Sequence, residues 1–123
     1  MIIEDGPATL PNAVQAYVEE KKITGYLLSD THPQGRSKAV FFRAFGFVPA
    51  QWQELAAALV AQGAAGTVVS TLVLPDSTQY AVEGELSALD GRAPRIRTVW
   101  EVRPEDARPR LITAYPRSER AWT

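Results

Sequence analysis

At Thr67 the spacing of apolar residues changes, and this change constrains the fold more than any other feature of the chain. Before it, Trp52, Leu55, Ala56, Leu59 and Val60 recur every three or four residues, as along one face of a helix. After it, apolar and polar residues alternate, as in strands with one buried face. Pro49 suits the first turn of the helix, and Gly63 and Gly66 are expected to finish it. Residues 68–74 and 79–86 read as strands around the turn Pro75-Asp76-Ser77. Asp90-Gly91 marks another turn before a strand over 95–102, and residues 104–109 lead into a last strand over 110–115. Four consecutive strands with short connections imply an antiparallel meander.

Upstream, residues 38–45 read as a second helix, with Gly46 in the left-handed stop position. Phe41, Phe42 and Phe45 form its expected buried stripe with Lys38 in the middle, while Arg36 and Arg43 face solvent. A lysine on that face sends its ammonium out past the helix end. Residues 16–18 suit a short strand, and 23–28 are too short and apolar for periodicity to separate helix from strand. Two or three helices must then cover one face of a four-stranded antiparallel meander, which makes the class α+β. At 123 residues the chain suits one domain, helical over 10–63 and a sheet over 67–116.

Alternation decides which side chains share a face. Ile96, Thr98, Trp100 and Val102 stand on one side of their strand, Arg95, Arg97, Val99 and Glu101 on the other. In the last strand two registers remain open. With Ile112 and Ala114 inward, Thr113 and Tyr115 stand on the open face near Arg97. With Leu111 inward, Tyr115 enters the core.

The chain has no cysteine, which excludes disulfides, thiolate metal sites and cysteine nucleophiles. With one histidine as well, no metal and no cofactor are expected; Glu83 and Glu85 read as an ordinary solvated strand edge. No G-x-S-x-G elbow is present, and Gly63–Gly66 follows a helix rather than a strand, against a phosphate-binding loop. No apolar run approaches the ~20 residues of a membrane span. The N-terminus lacks a signal-peptide pattern, so the expected location is the cytoplasm, with no membrane partner. The net charge of −1 hides a pattern, because residues 44–90 carry five acids and no Lys or Arg, whereas 91–123 carry eight arginines against four acids. These arginines either merge with Arg36, Lys38 and Arg43 into one basic patch or stand as solvated strand positions.

The run Thr31-His32-Pro33-Gln34-Gly35-Arg36-Ser37-Lys38 places the only histidine in a turn beside fixed positive charge. Imidazole exchanges protons near neutral pH, and cations stabilise charge building on phosphoryl oxygens; metal-free cleavage of RNA needs both. A turn histidine bonded only to backbone is the plainer reading. Tyr26, Trp52 and Trp100 are expected in the core.

Leu10-Pro11-Asn12-Ala13, Lys22-Ile23-Thr24-Gly25-Tyr26-Leu27-Leu28, His32-Pro33-x-Gly35-x-x-Lys38-Ala39, Phe41-Phe42 and Gly46-Phe47 together resemble a bacterial domain family that carries no settled activity. Arg97-Thr98-Val99-Trp100 and Leu111-Ile112-Thr113-Ala114-Tyr115-Pro116 extend the resemblance over nearly the whole chain. The layout is similar to the barnase–EndoU–colicin–RelE group of small ribonucleases, found as toxins in toxin–antitoxin pairs and polymorphic systems. That resemblance implies His32 as acid or base, Lys38 and Arg97 as phosphate clamps, and Thr113 and Tyr115 as further site residues. Lys22, Arg36 and Arg95 are candidate RNA contacts. Expected partners are RNA and a small antitoxin-like or immunity-like protein. The alternatives are a non-enzymatic protein-binding module and an inactive member of the same fold. Convergence of His32, Lys38, Arg97 and Tyr115 in one cleft favours the catalytic reading, and their scatter over different faces would sink it.

Overall fold

A computed structural model describes residues 2–3 and 7–117. Met1 and residues 4–6 of the N-terminal segment, and Glu119 and Arg120 of the basic C-terminal segment, lie outside the described residues. In chain order the elements are β1 (Ile2–Ile3), α1 (Glu20–Lys22) running into a π-helix (Ile23–Leu27), α2 (Arg36–Ala44), α3 (Trp52–Ala65), β2 (Thr67–Val73), β3 (Thr78–Glu85), β4 (Arg95–Arg103) and β5 (Asp106–Pro116). Short 3-10 turns at Ala13–Gln15 and Pro49–Gln51 precede α1 and α3. The four expected strands form the antiparallel meander, and β1 extends it by pairing with β2. The α+β class, with helices packed on one face of the sheet, is as the periodicities predict.

That face carries Val82, Ile96, Trp100, Leu111 and Ala114, all fully buried against Ile23, Leu27, Phe42, Leu55 and Leu59 from the helical layer. Gly63 does not end α3. It lies inside the helix, where an added Cβ would stand 2.7 Å from Trp100 Cζ2. Helix and sheet approach closely there because no side chain intervenes. A buried polar relay crosses the same interface: Trp100 Nε1 donates to Thr98 Oγ1 at 2.7 Å, and Thr98 donates to Gln62 Oε1 at 2.6 Å. Gln62 Nε2 then donates to the carbonyls of Val82 and Ile96. Each buried polar group in the relay is satisfied, as burial demands.

Several local expectations need correction. The buried line of α2 is Ala39 and Phe42, while Phe41 and Phe45 stack beside it half-buried, 5.0 Å between ring centroids. Lys38 accordingly flanks the core line instead of interrupting it. Residues 16–18 make one parallel bridge, Tyr17 to Arg110, and no strand. Residues 23–27 resolve as the π-helix, closed by Leu28 N–H to the Ile23 carbonyl at 2.8 Å.

The two open registers of the last strand are reconciled by a β-bulge. Trp100 pairs with Leu111 but Val99 pairs with Thr113, leaving Ile112 extra. Leu111 and Ala114, three residues apart, therefore both face the helices, which strict alternation forbids and one extra residue permits. Beyond the bulge, Val82, Thr98 and Ala114 form a buried cross-strand row. The next row, Glu83, Arg97 and Tyr115, stands on the opposite, open face.

Candidate functional site

Where the π-helix meets the outer edge of β5, the surface opens into a cleft of about 730 Å³. Its lining includes Glu19, Lys21, Lys22, Gly25, Tyr26, His32, Gln34, Arg110, Ile112 and Thr113. Tyr26 is the centre of this group. Its hydroxyl shares a hydrogen bond of 2.8 Å with Thr113 Oγ1, tying the π-helix to β5 just past the bulge. Its ring meets His32 edge-on, 4.8 Å between centroids, and the ammonium groups of Lys22 and Lys38 each lie 5.4 Å from its centroid. Both are within cation–π range. π-helical turns are uncommon and gather at functional sites.

The His32 turn sits against Tyr26 for a steric reason. Gly35 is buried, and a Cβ there would stand 2.1 Å from the Tyr26 carbonyl oxygen, so only glycine lets the turn approach. Within the turn, His32 Nδ1 accepts the amide protons of Gln34 at 3.0 Å and Gly35 at 3.2 Å. Those bonds use the Nδ1 lone pair, so the proton of the neutral ring belongs on Nε2. Nε2 has no hydrogen-bond partner among the described residues. Lys38 extends past the start of α2 as expected, and its Nζ donates to the Gln34 carbonyl at 2.9 Å.

The four residues expected to converge do not meet in one cleft: His32 and Lys38 gather at Tyr26, whereas Arg97 and Tyr115 form a separate group outside its lining. They are opposed across β4 and β5 on the open face, and Arg97 donates to Glu83 Oε2 through Nε at 2.9 Å and through Nη2. Arg117 joins the same carboxylate oxygen. Burial pushes the Glu83 carboxyl up, but the two guanidinium groups more than reverse this and hold it below its ordinary value of 4.5. Burial likewise works against the Arg97 cation, and Glu83 and Tyr115 outweigh it. Glu83 is thus half of an ion cluster on a central strand, not a solvated edge. The two groups adjoin along β5, since Thr113 and Tyr115 share a face two residues apart, ~6.8 Å at the usual strand rise. Arg36 and Arg95 stand exposed, outside the cleft lining.

Among the described residues most of the C-terminal arginines are paired with carboxylates and not gathered into an open basic patch. Arg92 pairs with Asp90, Arg103 and Arg110 with Glu101, and Arg108 with Asp106. Arg110 also reaches Glu19 at 3.2 Å. Among the described residues Lys21, Lys22 and Lys38 form no ion pair, so uncompensated positive charge gathers at the cleft. Tyr26, Glu19, Arg110 and Glu83 were not among the sequence candidates. A helix over 23–27 would have placed Lys22 and Tyr26 four residues apart on one face, the one signal present in the sequence. No group of three or more metal-ligating side chains occurs among the described residues, and none of their helices is long and apolar enough to cross a membrane.

Residues 9–118 match the family model of DUF6883, described as a domain of unknown function. No curated protein matches the sequence significantly. The structure is similar to a chain of a contact-dependent growth inhibition toxin–immunity protein complex from Klebsiella pneumoniae 342, with a TM-score of 0.68, 16% identity, and coverage of 87% of this chain and 97% of that one. At that identity the likeness is one of fold.

Proposed function

This chain belongs to the DUF6883 family, and we propose that it is a metal-independent endoribonuclease of toxin type. It would act within a toxin–antitoxin or polymorphic-toxin system and be restrained by a small antitoxin-like or immunity-like protein. The observation that carries this reading is the Tyr26 cleft, which draws His32, Lys22, Lys38 and Thr113 around one aromatic ring. The fold shared with a chain of a toxin–immunity complex supports the toxin setting and a protein partner.

Cleavage through the 2′-hydroxyl needs a group to remove its proton, donors for the charged phosphoryl oxygens, and a proton for the leaving 5′-oxygen. In this reading Lys22 and Lys38 hold the phosphoryl oxygens. The Nε2–H of His32 stays on its ring and donates a hydrogen bond to a phosphoryl oxygen, because Nδ1 is occupied by the amides of Gln34 and Gly35. The coupled hydroxyls of Tyr26 and Thr113 relay the proton, one accepting it from the attacking 2′-hydroxyl while the other passes its own to the leaving 5′-oxygen. Tyr115 offers a ring for a neighbouring base, and Arg97, oriented by Glu83, meets the next phosphate along β5. Arg36 and Arg95 lie farther out as contacts for longer RNA.

One observation favours a second reading, a non-enzymatic binding module or an inactive member of the fold. His32 Nδ1 is engaged by the turn, and Arg97 by Glu83, so both serve structural contacts already. Expression in a bacterial host separates the two. His32→Asn keeps an acceptor for the amides of Gln34 and Gly35 but removes the Nε2–H, and Lys38→Ala removes one cation. Growth arrest with discrete RNA fragments is expected from wild type and from neither variant. Soluble wild-type protein that leaves growth and RNA intact would overturn the nuclease and leave the binding module.

A further inference from the structure

The cleft holds two features that phosphate binding and cleavage do not use, a carboxylate and a bare glycine. Glu19 lines the cleft, and its side chain is 34% exposed. Its Oε1 accepts from Arg110 Nη1 at 3.2 Å, and Arg110 is itself anchored by Glu101 at 2.9 Å. The carboxylate is therefore held in one orientation, while its Oε2 has no partner among the described residues. The free oxygen of Glu19 is a charged acceptor beside the lysines, which suits a neutral group bearing N–H donors next to a phosphate held by Lys22.

Gly25 lies in the π-helix, where glycine is among the poorest choices. An added Cβ would meet nothing within 4 Å, and its φ is not left-handed. Neither packing nor backbone conformation requires a glycine here. What it does provide is a bare stretch of the cleft lining, a floor with open space where a side chain would otherwise stand.

We propose that this part of the cleft seats a nucleobase carrying an exocyclic amino group, with Glu19 as the specificity-determining acceptor and Gly25 as the floor. Adenine, cytosine and guanine each present such an amino group, whereas the one donor on the pairing edge of uracil, N3–H, is flanked by two carbonyl oxygens that face the carboxylate unfavourably. The inference rests on the cleft being an RNA site, and it adds which bases the site selects.

The test is titration of the full chain with the 3′-monophosphates of adenosine, cytidine, guanosine and uridine, followed by NMR or calorimetry. A hydrogen bond to a charged acceptor predicts that the first three bind at least roughly tenfold tighter than the uridine nucleotide. Glu19→Gln replaces one acceptor oxygen by a donor, and it should shrink or invert that preference. Gly25→Phe fills the floor with Glu19 and Arg110 themselves unsubstituted and should weaken all four. Equal affinity for the four nucleotides in wild type, or a preference that survives Glu19→Gln, overturns the inference while leaving the cleft as an RNA site. No binding of any nucleotide removes the RNA site and the inference with it.

Discussion

Alanine substitution at two glycines, both within helical elements, should move stability in opposite directions. At Gly63 the new Cβ meets Trp100 Cζ2 at 2.7 Å, Cε2 at 2.9 Å and Nε1 at 3.1 Å. The indole cannot yield cheaply, because it is fully buried and its Nε1 donates to Thr98. Overpacking of this kind costs roughly 1–3 kcal/mol, and the substitution also strains the Trp100–Thr98–Gln62 relay. Two contacts under 3.0 Å with a fixed ring put the cost in the upper half of that range, about 2–3 kcal/mol. Alanine's better helix propensity offsets about 1 kcal/mol, so Gly63→Ala should lose about 1–2 kcal/mol overall. With an unfolding entropy of ~2.1 cal/mol/K per residue, 123 residues lose about 4 °C in Tm per kcal/mol, a fall of about 4–8 °C. Gly25→Ala meets no neighbour and should gain roughly 0.5–1 kcal/mol, a rise of about 2–4 °C. Thermal unfolding followed by far-UV circular dichroism measures both. A Gly63→Ala protein as stable as wild type would refute the close helix–sheet contact, and a destabilised Gly25→Ala would refute the open floor of the cleft.

Thr98→Val removes the hydroxyl that joins Trp100 to Gln62 and leaves two buried polar groups unpaired, at a cost of about 2–4 kcal/mol; denaturant unfolding and a changed near-UV tryptophan signal should report it. Gly35→Ala drives a methyl group into the Tyr26 carbonyl, so the His32–Tyr26 ring contact should be lost in NMR spectra along with nucleotide binding at the cleft. Glu83 and Glu101 are both held below 4.5: burial raises them, and their arginine partners outweigh it. Groups of lowered pKa lend stability that is fully present above the unfolded value and disappears as pH falls through the folded one. Stability should therefore fall below about pH 4.5, and Glu83→Gln with Glu101→Gln should flatten that fall in urea unfolding between pH 5 and 2. An acid limb as steep in the double variant as in wild type would place the responsible carboxylates elsewhere.

Much of the scaffold was legible from residue spacing. The change of period at Thr67 located the passage from α3 to β2, and the alternation in 95–102 correctly separated Arg97 from Thr98 and Trp100. Periodicity works there because each element's own repeat decides which side chains meet the core. It failed where two segments far apart in sequence meet. Tyr26 reads as a core residue until the Gly35 turn and Thr113 are brought against it. The arginine-rich C-terminal segment reads as a basic patch until Glu83 and Glu19 are brought against Arg97 and Arg110 from other segments, while Arg92, Arg103 and Arg108 pair with carboxylates two residues away.

By itself the sequence determined the class, the order of the elements and the residue types available for chemistry, since these depend on local propensity and composition. Only the tertiary structure decided that His32, Lys22, Lys38 and Thr113 surround one ring while Arg97 and Tyr115 stand a step further along β5. The physical reason is a single extra residue, Ile112: a bulge reverses alternation at one point, and no local pattern announces it.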